Sequence, residues 1–359
     1  MRIVVDVTPL SLPRTGIGNY VRGMVAGLTE VAAGVHEVVG FAVTGYRGRR
    51  EIEASLAGLP ITRRIFALPL GRAWRAGWNR LRAPQIERVA GPVDVFHFSE
   101  WVYAPQRRGV RATTMHDLVP LRFPDLVHPR TLRMHAAKVR FAAASCDVIV
   151  ANSRFTAGDV AERLSFPIER IQVAYPGIDP VFSPDGRPAR LERPYILGVS
   201  TLEPRKNLAG LVAAFRLLRH RRDDLDLVLA GGLRPGGEPP KLAEGVRLLG
   251  YVGDEELAAL YRGASAFVYP SLFEGFGLPI VEALASGTPT VASSHPSLDE
   301  ASGATALRAD PEDPEALADA IETALVPDPH RRAEGLRHAA RFTWRANGEA
   351  VLHGYQTAL

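Results

Sequence analysis

Cysteine is nearly missing from this chain of 359 residues. Cys146 stands alone, so no internal disulfide can form, and a reducing, cytoplasmic compartment is expected. Long apolar runs are missing too: none reaches the length of about 18 residues that a membrane-spanning helix needs. The opening MRIVVDVTPLSL carries Asp6 inside its apolar run, which makes it a first strand rather than a signal peptide. Lysine is scarce, with only Lys138, Lys206 and Lys241 among 43 basic residues. In a chain that writes nearly every cation as arginine, a lysine marks a place where a compact ammonium is wanted. Clusters with metal-ligand spacing are absent, as are the G-x-x-x-x-G-K-[ST] and G-x-S-x-G motifs.

Acidic residues are scarce in the first half only. Residues 1–180 hold 24 Lys and Arg against 15 Asp and Glu, a net of +9, and residues 181–359 hold 19 against 24, a net of −5, which together give the chain's +4. A basic half implies an anionic partner: phosphates, nucleic acid or a membrane surface. The hydrophobic share of 46% and the charged share of 23% are globular values.

What is present is alternation. Short β-branched runs (RIVVDV, EVVGFAV, DVFHF, RATTM, DVIVA, IQVAY, then YILGVS, LDLVLAG, VRLLG, AFVYPS, PTVASS) alternate with stretches of helical period. Such a pattern predicts α/β architecture with parallel sheets covered on both faces. Residues 176–194 hold five prolines in 19 positions and read as a linker. The expected organisation is a Rossmann-like domain over 1–180, a second over 181–341 and a final amphipathic helix within 342–359. Ligands in doubly wound sheets bind outside the carboxyl ends of the strands, so the cleft between the two domains is the expected site.

Three strings carry chemistry. In SLFEGFGLPIVEALASG, residues 271–287, a buried strand turns into a helix through EGFG. Glycines there admit a ligand close to the backbone, and the free amides and dipole of the helix start favour a diphosphate. Glu274 and Glu282 flank that loop, and carboxylates accept paired hydrogen bonds from vicinal hydroxyls. In STLEPRKNL, Arg205 and Lys206 follow a strand, where two cations can neutralise a leaving diphosphate without a metal. In MHDLVP, His116 and Asp117 sit at another strand's end, positioned as a general base for an acceptor hydroxyl. The glycine-rich LPRTGIGNYV, residues 12–21, lacks the third glycine of a dinucleotide fingerprint.

EGFGLPIVE resembles the E-x7-E motif of the retaining glycosyltransferases of family 4, which have the two-domain GT-B fold. The likeness extends through TGIGNY, HDLVP, ANSRFTAGDV, YPGID, EPRKN and the closing FTW, so it spans nearly the whole chain. It implies that Glu274 holds hydroxyls of the donor sugar and Glu282 the ribose of the nucleotide. Backbone amides of Phe276, Gly277 and Leu278 would contact sugar and diphosphate, Val252 would lie beside the base, and Gly16 would near the diphosphate or acceptor. Arg205 and Lys206 would stabilise the departing phosphates, and His116 would touch the donor sugar. The C-terminal helix would pack back on the first domain. The likeness is greatest to bacterial enzymes that use GDP-mannose in surface polysaccharide assembly.

The expected function is therefore retaining, metal-independent hexosyl transfer, with no cofactor beyond the nucleotide sugar donor. The acceptor would be a glycan, lipid-linked or small-molecule hydroxyl. Retention needs no general base, which sets the family's chemistry against a base at His116 or Asp117. Two other classes stay open: a GT-B enzyme that is not a transferase, such as a sugar-nucleotide epimerase, and a basic nucleic-acid-binding protein. No aromatic-interleaved basic motif supports the latter, so no nucleic acid partner is expected. Residues 63–89 hold two tryptophans and seven arginines against one acid, Glu87. A helix bearing Trp74, Trp78 and Leu81 on one face would suit an anionic membrane surface, or else pack on the first sheet.

Overall fold

The structure is a computed structural model that describes residues 1–12, 16–232 and 243–359. It divides into two compact units, Met1–Gly177 with Thr343–Leu359, and Ile178–Phe342.

The first unit is built on seven parallel strands: β1 (Arg2–Asp6), β2 (Glu37–Thr44), β3 (Thr62–Ala67), β4 (Val95–Phe98), β5 (Val110–Met115), β6 (Val148–Ala151) and β7 (Ile171–Val173), in the order β3-β2-β1-β4-β5-β6-β7. Strands such as IVV and VIVA are buried on both faces, which is why they read as continuous apolar runs rather than alternating ones. One face is covered by helices Gly16–Ala32 and Trp344–Thr357. These two helices pack at very short range. A Cβ on Gly27 would lie 1.7 Å from the Trp344 carbonyl oxygen, and one on Gly348 would lie 2.3 Å from the Gly27 carbonyl carbon. Val351 and Tyr355 of the last helix are fully buried, and Asn347 Nδ2 donates to the carbonyls of Ala174 and Tyr175.

The second unit holds six parallel strands: β8 (Tyr195–Val199), β9 (Asp226–Ala230), β10 (Val246–Gly250), β11 (Ala266–Tyr269), β12 (Thr290–Ser293) and β13 (Leu307–Ala309), in the order β10-β9-β8-β11-β12-β13. Helices Leu208–Arg221 and Pro314–Ala324 contribute Leu211, Phe215, Leu317 and Ile321 to a core against the sheet.

Three elements depart from the sequence reading. β3 lies inside the stretch read as basic and helical; it is an edge strand whose Arg63 and Arg64 are exposed. β13 and the helix Pro329–Ala339 were not anticipated. The helix expected around Trp74 and Trp78 spans Gly71–Leu81, but its two tryptophans differ. Trp78 is 2% exposed, packed on Phe41 with its indole N–H on the Pro84 carbonyl, whereas Trp74 is 46% exposed.

Candidate active site

In the second sheet the strand order reverses between β8 and β11, and open α/β sheets bind their ligands outside the carboxyl ends at such a switch point. The loops leaving those two strands carry the principal residues. After β8 the chain makes a tight turn, Pro204–Lys206, stopped by Asn207 in a left-handed conformation; Asn207 then caps the helix Leu208–Arg221 by accepting from the Gly210 amide. Arg205 and Lys206 thus precede the helix rather than open it. After β11 the chain runs through 270–277 into the helix Leu278–Ala285. Backbone carbonyls help join the loops: Arg205 Nη1 donates to the Phe273 carbonyl at 2.5 Å, and the Leu272 amide to the Arg205 carbonyl at 2.9 Å.

Glu274 lies between the cations. Its Oε2 is 2.7 Å from Arg205 Nη1 and its Oε1 is 2.6 Å from Lys206 Nζ. Oε1 also accepts from the Tyr269 hydroxyl at 2.9 Å and the Ser271 hydroxyl at 2.5 Å, while the Glu274 amide donates to Ser297 Oγ at 3.0 Å. Burial alone would push this carboxyl up, but Lys206 and Arg205 outweigh it and hold it at about 2. Burial by itself would lower Lys206, and Glu274 reverses that, leaving it above the ordinary lysine value. Arg205 Nη2 also lies 3.7 Å from Glu203 Oε2, so two cations and two carboxylates meet here, with the shortest contacts on Glu274.

The helix Leu278–Ala285 starts without a side-chain cap, at Gly277 in the left-handed region with φ 101°. A Cβ there would approach Leu298 Cδ2 to 2.7 Å, so only glycine fits. At its start Pro279 has no N–H to satisfy and the Ile280 amide donates to the Gly277 carbonyl at 3.0 Å. Phe276 is buried against Phe342, and its contribution to the loop is backbone. Glu282, on the second turn, does not join the triad; the Tyr261 hydroxyl donates to its Oε2 at 3.1 Å. Burial pushes Glu282 up to about 7; the Tyr261 bond opposes this, and Asp254 and Asp179 add to it. Val252 lies in the loop between β10 and the helix Asp254–Gly263.

The other two residues belong to the first unit. Gly16 begins the helix Gly16–Ala32 and is exposed; Pro13, Arg14 and Thr15 before it, and Lys241, lie outside the described residues. His116 follows β5, its ring edge-on to Tyr20 at 4.7 Å. Burial lowers its pKa, against the pull of Glu100 and with the help of Lys138, which favours the neutral imidazole. Asp117 Oδ1 accepts from the Val119 amide at 3.0 Å, a turn-forming bond.

Sequence reasoning missed Tyr269, Ser271, Tyr261 and Ser297. Tyr269 and Ser271 carried a signal, since they stand at the carboxyl end of the strand that leads to Glu274. Tyr261 and Ser297 come from other elements and carried none. The chain's D-x-D string, Asp224–Leu225–Asp226, enters β9 at its amino end and is engaged by arginines: Arg222 on Asp224, Arg247 and Arg193 on Asp226. Among the described residues, no three His, Cys, Asp or Glu side chains are grouped to hold a metal ion.

Residues 193–326 match the family model described as glycosyl transferases group 1, and residues 14–182 the one described as Glycosyltransferase Family 4. The O-antigen chain mannosyltransferase B of Escherichia coli is 31% identical over 99% of this chain and 100% of its own. The D-inositol 3-phosphate glycosyltransferase of Salinispora tropica is 32% identical over 78% of this chain and 67% of its own. Among solved structures, a glycosyltransferase from Rickettsia africae superposes with a TM-score of 0.70 at 18% identity, over 99% of this chain and 98% of that one. Anabaena HepE, solved with UDP and glucose, gives a TM-score of 0.70 at 17% identity, over 99% and 100%.

Proposed function

Because this chain belongs to the family 4 glycosyltransferases and has the GT-B fold, we propose that it transfers mannose from GDP-mannose to a glycan hydroxyl, with retention and without a metal. The observation that carries the reading is the Arg205–Glu274–Lys206 triad beside an uncapped helix start. As the bond from the anomeric carbon to the diphosphate breaks, negative charge grows on the leaving oxygen. Arg205, Lys206 and the amides of Gly277 and Leu278 stabilise that charge, which lowers the barrier electrostatically. The acceptor oxygen bonds to the same face of the sugar, and its proton passes to the departing phosphate, so no side-chain base is needed. Glu274 fixes the cations and reaches the sugar hydroxyls, Glu282 takes the ribose, Val252 lies along the base, and His116 contacts the sugar. Mannose is favoured by the mannosyltransferase relatives.

A screen of nucleoside diphosphate sugars for protection against thermal unfolding tests this. GDP-mannose should raise the midpoint most, by mass action, and transfer should persist in EDTA with product of the donor's anomeric configuration by NMR. Preferential stabilisation by a UDP-sugar would change the donor. Loss of turnover on chelation, restored by Mg2+, would end the metal-free mechanism, and inversion would return His116 to the role of base.

The acceptor being carried on a membrane lipid is favoured by one surface. Leu70, Trp74 and Leu81 are exposed along one side of the helix Gly71–Leu81 and its approach, at 83%, 46% and 76%, with Arg80 and Arg82 exposed beside them. We assign this surface to reversible contact with an anionic membrane. Among the described residues no helix is long and apolar enough to cross one.

A further inference from the structure

Two buried tyrosines stand behind Glu274 and Glu282, one for each. Tyr269, the last residue of β11, is 3% exposed, and Tyr261, on the helix Asp254–Gly263, is fully buried. Phe267 makes ring contact with both, at 6.1 Å to Tyr269 and 5.2 Å to Tyr261. A buried phenol usually carries its hydroxyl to a partner, and here the partners include both carboxylates.

The Tyr269 hydroxyl meets both members of an ion pair. Lys206 Nζ lies 3.0 Å from it and Glu274 Oε1 2.9 Å from it. An ammonium can only donate and a carboxylate can only accept. The hydroxyl therefore accepts from Lys206 and gives its own proton to Glu274, so it bridges the two at a fixed spacing. The Lys206 ammonium also stands 5.4 Å from the centre of the Tyr269 ring, within reach of a cation–π contact. Burial and Glu274 raise the phenol above its ordinary pKa, so the proton it gives stays on it.

The Tyr261 hydroxyl donates to Glu282 Oε2 at 3.1 Å. Burial and the Glu282 charge raise that phenol too. Its bond works against the burial that pushes Glu282 up, while Asp254, on the same helix as Tyr261, and Asp179 work with that burial. Removing the bond leaves Glu282 less ready to ionise.

We propose that Tyr269 and Tyr261 are positioning residues for the transfer reaction with separate tasks: Tyr269 sets Lys206 and Glu274 against the breaking bond, and Tyr261 presents Glu282 as a carboxylate to the ribose. The inference rests on the glycosyltransferase reading and deepens it. Each tyrosine acts through its glutamate rather than on the substrate.

The test uses the full chain, with GDP as the binding probe. GDP release from GDP-mannose, with methyl α-mannoside or water as acceptor, reads kcat. Tyr269→Phe keeps the ring and removes one oxygen. It should lower kcat by about 10-fold, near the lower end for a hydrogen bond to a charged group, with GDP affinity falling less. Tyr261→Phe should do the reverse: GDP affinity lower by about 10-fold at about pH 7, kcat at saturating donor falling less, and the rise of GDP affinity with pH moved to higher pH. In a Glu282→Gln background the same Tyr261→Phe change should have little further effect on GDP affinity. Parallel loss of kcat and affinity in both variants, wild-type kcat in Tyr269→Phe, or an unmoved pH profile in Tyr261→Phe would overturn the proposal. Should a phenylalanine variant fail to fold, NMR of the wild-type chain labelled at tyrosine Cζ decides. One Cζ resonance must move between about pH 5 and pH 8 and stay still in Glu282→Gln, and the absence of such a resonance overturns the proposal. A wild-type chain that binds no nucleoside diphosphate sugar at all would overturn the function itself, and the proposal with it.

Discussion

Lys138, buried, and Lys206, half-buried, the two lysines within the described residues, are both ion-paired with a glutamate at the carboxyl end of a sheet. Their rarity was visible in the sequence; their partners were not, because Glu100 and Glu274 come from loops 38 and 68 residues away. Removing Lys206 or Arg205 as alanine should cut transfer by about 100- to 1000-fold, read as kcat with GDP-mannose. Glu274→Ala should do the same and also destabilise the chain by about 3–5 kcal/mol, since it takes from Lys206 its anion and leaves Arg205 only the longer contact to Glu203; denaturant unfolding measures this. Glu282 gives the opposite pH behaviour to Glu274. Its folded pKa of about 7 lies above the ordinary 4.5, so the folded chain holds the proton more tightly. Its stabilising contribution is complete below about pH 4.5 and is lost as pH rises through about 7. Between about pH 5 and pH 8 wild type should therefore lose on the order of 1–2 kcal/mol that Glu282→Gln keeps. If Glu282 binds ribose as a carboxylate, GDP affinity should rise over the same interval in wild type relative to Glu282→Gln. Parallel pH profiles for the two proteins would remove Glu282 from both roles.

Elements were legible where a single periodicity governed them. The buried strands and the helices beneath them follow from apolar runs and 3.6-residue spacing, and the linker follows from its prolines. β3 was hidden because an edge strand need not alternate cleanly, and its two arginines gave it the look of a basic helix. The helix Pro329–Ala339 had a legible start, with Asp328 capping the Arg331 amide and Pro329 at its first position, but its polar composition masked its period. In Gly71–Leu81 the pattern gave the helix but not which tryptophan faces the sheet. The two substitutions should now separate. Trp78→Ser should destabilise the protein by about 3–5 kcal/mol, as core aromatic truncations do. Trp74→Ser should leave the unfolding midpoint nearly unchanged and weaken cosedimentation with anionic vesicles, an association that salt should also weaken. Equal cosedimentation of wild type and Trp74→Ser would detach this helix from any membrane role.

At the scale of the whole molecule the chain passes between the two units twice, at Gly177–Ile178 and again at Phe342–Thr343. The last helix completes the first unit through Gly27, Gly348, Val351 and Tyr355. A chain ending at Phe342 should show faster amide exchange in β1, β4 and β6 while β8 and β11 keep their protection; uniform loss would mean the units do not fold separately. The same helix also sets an order of events during synthesis. Residues 1–177 leave the ribosome first, yet the groove along Gly23 and Gly27 has nothing to fill it until residues 343–359 follow. The intervening 178–342 are contiguous and can close as soon as they emerge. Chains usually fold from the amino end as they are made; here the second unit can finish first, and the nascent first unit waits, with an apolar seam exposed, for the last helix to be translated.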